Sequence, residues 1–279
     1  MQFATSQDVL GCDKVTGIER AAELGFDGVE LVVPDGIHRV DEESGMVLDL
    51  DGIDVYEDDL WTPEGRERVQ EAAERHEIAL PSVCPSYLNC RPGLKSSDEA
   101  ERAAVAADVE GLIEAAADLG STAILVPFFY DAEIEDEADR ERVVDAVRDL
   151  APVAEDAGVT LALETSLPPE TDRAMLDAID SPAVGVYYDI GNSTWFGYDP
   201  AREFDLIGES VASMHVKDSV DSSGDAMLGA GEVDFEGFAV ALDGLGYEGW
   251  LVLETVHRGD PVADAAANLE FLREAVGRR

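Results

Sequence analysis

Lysine is almost missing from this chain, which has three in 279 residues: Lys14, Lys95 and Lys217. All basic residues together number 19 against 62 acidic ones, a formal net charge of −43. A field of that sign repels nucleic acid and anionic membrane surfaces, so neither is an expected partner. The acids are not gathered into a tail; they run through helical stretches such as 133-EIEDEADRERVVDAVRDL-150. Spread in this way, they fit a halophilic protein, adapted to salt concentrations at which screening over a few ångströms removes the self-repulsion.

Other absences narrow the field. No apolar run reaches the roughly 18 residues of a membrane span. The first residues, MQFATSQDVLGCDK, lack a basic stretch followed by a long apolar one, so no secretory leader is expected and the cytoplasm is the expected compartment. The cysteines are Cys12, Cys84 and Cys90. An odd number with no CxxC spacing argues against both a disulfide framework and a thiolate metal site. Neither GxGxxG nor GxxxxGK[ST] occurs, which removes the common nucleotide cradles.

What is present is alternation. Hydrophobic residues make up 46% of the chain, enough for a sizeable core. Short apolar runs at 2–5, 28–33, 78–83, 122–127, 159–164, 183–189, 211–216 and 250–254 read as strands. Several are apolar throughout, as parallel strands covered by helices on the outside require. Helical patterns lie between them at 14–24, 63–76, 98–118, 137–157, 170–180, 201–208, 235–245 and 261–276. Gly25, Gly120, Gly158 and Gly246 fall where a helix is closed by a left-handed residue. Eight strand–helix units in fewer than 300 residues predict an α/β protein, a single-domain (β/α)8 TIM barrel over 1–279. The segment 35–62 is too long for an ordinary connection and is expected to be an elaborated loop over the barrel mouth.

In such a barrel, reactive groups sit at the C-terminal strand ends. The last four strands end in Glu164, Asp189, His215 and Glu254, spaced by 25, 26 and 39 residues, each about one strand–helix unit. Three carboxylates and an imidazole on one face suit one divalent metal ion: Mn2+, Mg2+ or Co2+, with Zn2+ compatible. Singly, each has a plain alternative: Glu164 pairing an Arg, Asp189 capping a turn, Glu254 solvated at a strand end. Lys217 and Asp218 follow His215 at the expected rim. There Lys217 is a candidate for holding a substrate oxygen or phosphate, or simply pairs with a neighbouring acid such as Asp218. Glu30, at the end of the second strand, reads as structural or as facing the mouth. Trp195, Phe196 and Tyr198 read as a sugar-facing wall or a packed loop.

The stretches 161-LALET-165, 187-YYDIGN-192, 214-MHVKD-218, 228-LGAGEVDFEGF-238 and 246-GYEGWLVLE-254 resemble the xylose isomerase-like superfamily of TIM barrels. More narrowly, the chain resembles the sugar phosphate isomerase/epimerase group, with its ketose 3-epimerases and L-xylulose 5-phosphate 3-epimerases. The resemblance implies that Glu164, Asp189, His215 and Glu254 ligate one metal and that Glu164 and Glu254 are also the catalytic acid/base pair. It implies a substrate contact at Asn192, where several relatives carry His, and a hydroxyl contact at Glu170, which otherwise reads as an acid in the first turn of a helix. His257, directly after the last strand, is a further substrate-binding candidate, although a surface loop would also place it there.

The implied chemistry is proton abstraction next to a ketose carbonyl, through an enediolate. The implied partner is a small-molecule sugar. The lack of a strong basic cluster favours an unphosphorylated one, although one Arg or Lys suffices for a phosphate. The resemblance also implies a homo-oligomer, for which the sequence offers no patch. Dehydration of a keto-cyclitol begins with the same proton removal and is the alternative reaction. A DNA phosphodiesterase on this fold needs several metals and more imidazoles than four His provide, two of which, His38 and His76, lie outside the inferred site.

Overall fold

The computed structural model describes residues 1–34, 39–40, 47–49, 54–220, 226–255 and 259–277. Its strands are β1 (Gln2–Ser6), β2 (Gly28–Val32), the short β3 (Arg39–Val40) and β4 (Val47–Asp49), β5 (Ser82–Cys84), β6 (Ala123–Phe128), β7 (Thr160–Thr165), β8 (Val184–Asp189), β9 (Val211–Val216) and β10 (Trp250–Leu253). Eight of them close into a parallel barrel in the order β1-β10-β9-β8-β7-β6-β5-β2, with β2 paired back to β1. The expected single (β/α)8 barrel is what forms. Because all eight run the same way, their C-terminal ends open on one face.

Helices α1 (Lys14–Leu24), α2 (Pro63–His76), α3 (Glu99–Leu119), α4 (Glu137–Ala157), α5 (Pro169–Ile179), α6 (Ile190–Phe196), α7 (Pro200–Ile207), α8 (Phe235–Leu245) and α9 (Pro261–Gly277) accompany the strands. The large core lies between strands and helices, with Leu31, Leu161, Leu251, Leu112 and Phe238 fully buried. A small second core fills the barrel itself: Val32, Cys84, Leu125, Ala162 and Tyr187. The abundant acids are used locally. Asp13, Asp98, Asp136, Asp199 and Asp234 each accept a backbone N–H at the start of a helix, a contact worth about 1 kcal/mol. The scarce lysines turn inward. Lys14 is fully buried against Asp58 at 2.6 Å, and Lys95 is buried beside Glu133 and Glu135.

Three expectations need correction. The third strand was expected at 78–83 but forms at Ser82–Cys84. Ala79 makes an isolated parallel bridge to Gly28, and Pro81, with no N–H to give, interrupts the ladder. The seven-residue α6, directly after β8, was not expected at all. Asp218 is not at the rim: it is fully buried, and its carboxylate accepts from the N–H groups of Ser219, Gly229, Gly231 and Val233 at 2.9–3.1 Å. It thereby pins the 228–233 turn against the end of β9. A Cβ at Gly231 would run into that carboxylate. Of the segment 35–62, the described end at 54–62 packs against the helical layer: Leu60 is buried, Asp58 holds Lys14, and Trp61 lies against Gly111 of α3. Residues 35–38, 41–46 and 50–53 lie outside the described residues.

Candidate functional site: a buried acidic cluster at the barrel mouth

Four neighbouring strands deliver the cluster. Glu164 is the penultimate residue of β7, Asp189 ends β8, His215 is the penultimate residue of β9, and Glu254 directly follows β10. Glu254 still belongs to the ladder, its N–H reaching Val216 O at 3.2 Å. A register shift between β8 and β9 decides which side chain of β9 faces inward. Val186 pairs with Val211 but Tyr187 with Ser213, so one residue of β9 is skipped and His215, not Met214, comes opposite Asp189. A one-residue slip exchanges the faces of a strand, and such bulges commonly lie beside active sites.

Glu164, Asp189 and His215 each offer one ligand atom, and the three atoms lie within 4.8 Å of one another. All three residues are buried. Glu254 Oε2 stands 3.3 Å from His215 Nδ1, with its side chain about one-third open at 32%. Lys217 Nζ lies 2.7 Å from Glu254 Oε2 and 2.7 Å from Asp189 Oδ2. The contact to Glu254 is a hydrogen bond; that to Asp189 is a charge contact at the same distance without hydrogen-bond alignment. Asn192, on the first turn of α6, donates its amide to Glu164 Oε1 at 3.0 Å. Asp189 also caps that helix, its Oδ1 accepting from Gly191 and Asn192 N–H. One Asp189 oxygen therefore caps the turn, as its plain alternative expected, and the other faces the cluster.

Two observations fit these residues to a divalent cation. Asp189 Oδ2, which faces the Lys217 ammonium at 2.7 Å, and His215 Nδ1, which faces Glu254 Oε2 at 3.3 Å, are buried and both point into the cluster. The other side of the His215 ring is already committed: Nε2 lies 2.8 Å from Glu30 Oε1. Glu30 is fully buried, and its second oxygen accepts from Ser82 Oγ at 2.7 Å and Tyr187 OH at 2.6 Å. Tyr187 OH in turn accepts from Ser213 Oγ, and its ring packs on His215 with centroids 4.4 Å apart. Burial works against Glu30's charge, but His215, Tyr187 and Ser82 outweigh it and hold the carboxyl below its ordinary range. A charged Glu30 requires Nε2 to donate, which turns Nδ1 toward the cluster; a metal ion held there would replace the proton that the neighbouring carboxylates favour on Nδ1, and ligating histidines are commonly anchored in this way. Glu30 is thus not at the mouth. It is the support beneath it: the sequence reading put it at the end of the second strand, but it is the middle residue of β2, with its side chain inside the barrel below the mouth.

The two outer carboxyls differ. Burial, and then the Glu254 charge, push Glu164 up to about 8. Burial also opposes the charge on Glu254, but His215 and Lys217 outweigh it and hold that carboxyl below its ordinary range. His215, despite its burial, is raised to about 10 by Glu254 and Glu30.

The remaining candidates fall elsewhere. Glu170 sits exposed in the first turn of α5, paired with Arg202, and does not join the cluster. His257 lies outside the described residues. Trp195 and Phe196 stack at 5.0 Å, Trp195 is 53% exposed, and Tyr198 OH ties the end of α6 to Ser166 O at 3.1 Å.

Comparison with known proteins agrees with this architecture. The sequence model of the family described as "Xylose isomerase-like TIM barrel" matches residues 18–275. L-ribulose-5-phosphate 3-epimerase UlaE of Escherichia coli is 28% identical over 273 residues, 94% of this chain and 89% of that protein. A 2-epi-5-epi-valiolone 7-phosphate 2-epimerase of Actinoplanes sp. is 32% identical over 167 residues, covering 59% of this chain and 62% of that protein. Among solved structures, D-psicose 3-epimerase of Clostridium cellulolyticum, with D-tagatose, superposes with a TM-score of 0.77 at 20% identity, over 99% of each chain. These relatives are sugar epimerases, and the chain is an enzyme of the sugar isomerase and epimerase kind. The match runs through all eight barrel strands but the first: the chain belongs to the xylose isomerase-like TIM-barrel family.

Proposed function

We propose that the chain is a divalent-metal-dependent epimerase or isomerase acting on a ketose or ketose phosphate, by proton transfer next to the carbonyl through an enediolate. The supporting observation is the convergence of Glu164, Asp189, His215 and Glu254, with Asp189 Oδ2 and His215 Nδ1 buried and turned into the cluster. Those four residues would hold the ion, which we take to be Mn2+, Mg2+ or Co2+. When bound, such an ion polarises the carbonyl and makes the neighbouring C–H acidic.

The protein's own residues supply the proton steps. In the barrel order, β8 and β9 stand between β7 and β10, so Glu164 and Glu254 flank the Asp189–His215 pair, an arrangement that supports approach to a substrate from two sides. Epimerisation needs this: one group removes a proton from one face, and the other returns one to the opposite face. Asn192 holds the Glu164 carboxyl in place, and the Glu30–Tyr187–Ser82 set fixes the His215 ring. The curated relatives carry phosphorylated substrates in their names, which supports a sugar phosphate; D-psicose 3-epimerase supports a free ketose. The net charge of −43 supports a salt-adapted protein. Among the described residues, no helix is long and apolar enough to cross a membrane.

The test is a screen of free and phosphorylated ketoses at high salt with Mn2+-loaded enzyme in deuterium oxide. The reading expects deuterium at the carbon next to the carbonyl and a second epimer among the products. Release of water without epimer formation would replace the proposal with a dehydratase.

A further inference from the structure

We propose that Lys217 is the centre's built-in placeholder cation. Its ammonium holds Asp189 and Glu254 together until a divalent ion arrives, and it must withdraw before the ion can take those oxygens. This rests on the metal reading above and adds what sets the affinity of that site. The ammonium is 2.7 Å from Asp189 Oδ2 and 2.7 Å from Glu254 Oε2. Those are two of the oxygens a four-residue ligand set needs, so the ammonium and a divalent ion compete for them. Among the described residues, Lys217 is the only lysine or arginine within ion-pair distance of Glu164, Asp189 or Glu254.

The path of the side chain is built into the fold. Lys217 leaves β9 and crosses the first turn of α6, where a Cβ on Gly191 would run into its Cγ. Gly191 is therefore required by the close approach of the lysine stem, in the same turn that Asp189 caps. The Lys217 side chain is 13% exposed, so its head lies just inside the mouth. Withdrawn from the carboxylates, a four-carbon stem leaves the ammonium near the entrance, as a donor for a substrate oxygen or phosphate.

Two measurements test this. The first is Mn2+ titration calorimetry on metal-stripped wild-type and Lys217→Met proteins, with thermal melts of each before and after saturation. Removing a competing cation should tighten Mn2+ binding at least about tenfold. It should also lower the melting temperature of the stripped protein, because two carboxylates lose their partner, and so enlarge the metal-induced rise. Equal or weaker Mn2+ binding by Lys217→Met overturns the proposal. No binding by wild-type protein would instead overturn the metal reading itself.

The second needs no variant. With only three lysines, mass spectrometry resolves acetylation of each by an amine-reactive acetyl ester. Lys14 and Lys95, held by Asp58 and by Glu133 and Glu135, serve as internal references. Mn2+ should speed labelling of Lys217 several-fold and leave the other two unchanged. A Lys217 rate indifferent to Mn2+ contradicts the displacement.

Discussion

The two halves of the barrel end differently. Strands β1, β2, β5 and β6 finish in Ser6, Val32, Cys84 and Phe128, while β7, β8, β9 and β10 deliver Glu164, Asp189, His215 and Glu254. The backbone ladder is continuous around both halves, so closure of the barrel does not require charges at the mouth. The first half supplies much of what lies beneath, with Glu30 and Ser82 under His215 and Val32, Cys84 and Leu125 in the inner core, joined there by Ala162 and Tyr187 of the second half. The second half carries the charged cluster. It holds them against mutual repulsion with Lys217, Asn192 and the α6 N-terminus. The charged cluster thus lies on one half and most of the inner-core apolar side chains on the other, and each can be attacked separately.

The largest expected effect lies in the second half. Glu254→Gln should lower deuterium exchange by about 10²–10⁴-fold in Mn2+-saturated enzyme; undiminished exchange would remove Glu254 from its role. The matching attack on the first half is Leu125→Ala in the inner core, with an expected loss of about 2–5 kcal/mol in chemical denaturation. Its Mn2+ affinity should stay within a few-fold of wild type; a collapse of metal binding would deny the division between the halves. Between them lies Glu30→Gln, the support from one half to the other. It should weaken Mn2+ binding by about 10–100-fold, measured by calorimetry, while a change only in melting temperature would make Glu30 structural.

The smallest effect is expected behind β7. Burial pushes Asp172, which accepts from Thr165 Oγ1 at 2.8 Å, up to about 7. A carboxyl raised in the folded state costs nothing below pH 4, where it is protonated in both states. Its cost grows as pH rises from there to 7. Asp172→Asn should therefore melt like wild type at pH 4 and above it at pH 8; the reverse order would contradict the assignment.

The fold was legible because its signals are local. Gly25, Gly120, Gly158 and Gly246 close α1, α3, α4 and α8 in the left-handed conformation, as the sequence reading expected. Strand ends counted from such boundaries placed the four charged residues on one face without any knowledge of contacts. What escaped the sequence is non-local. Glu30 and His215 are 185 residues apart, and no periodicity connects them. Lys217 could be placed near the mouth, but its choice of Asp189 and Glu254 over the adjacent Asp218 depends on where Asp218 is buried. Asp218 itself read as one more rim acid because its four N–H partners come from a turn 11–15 residues on and from its neighbour Ser219. The helix α6 is too short for a periodicity, and only its cap, Asp189, could have announced it.

The central claim is that the last four strand ends bind one cation. Anomalous diffraction from crystals soaked in Mn2+ tests it most directly. The account predicts a single manganese peak at about 2.1 Å from oxygens of Glu164, Asp189 and Glu254 and from His215 Nδ1, with Lys217 moved off Asp189. A peak at other residues, or no peak with Lys217 still bridging Asp189 and Glu254, would contradict it.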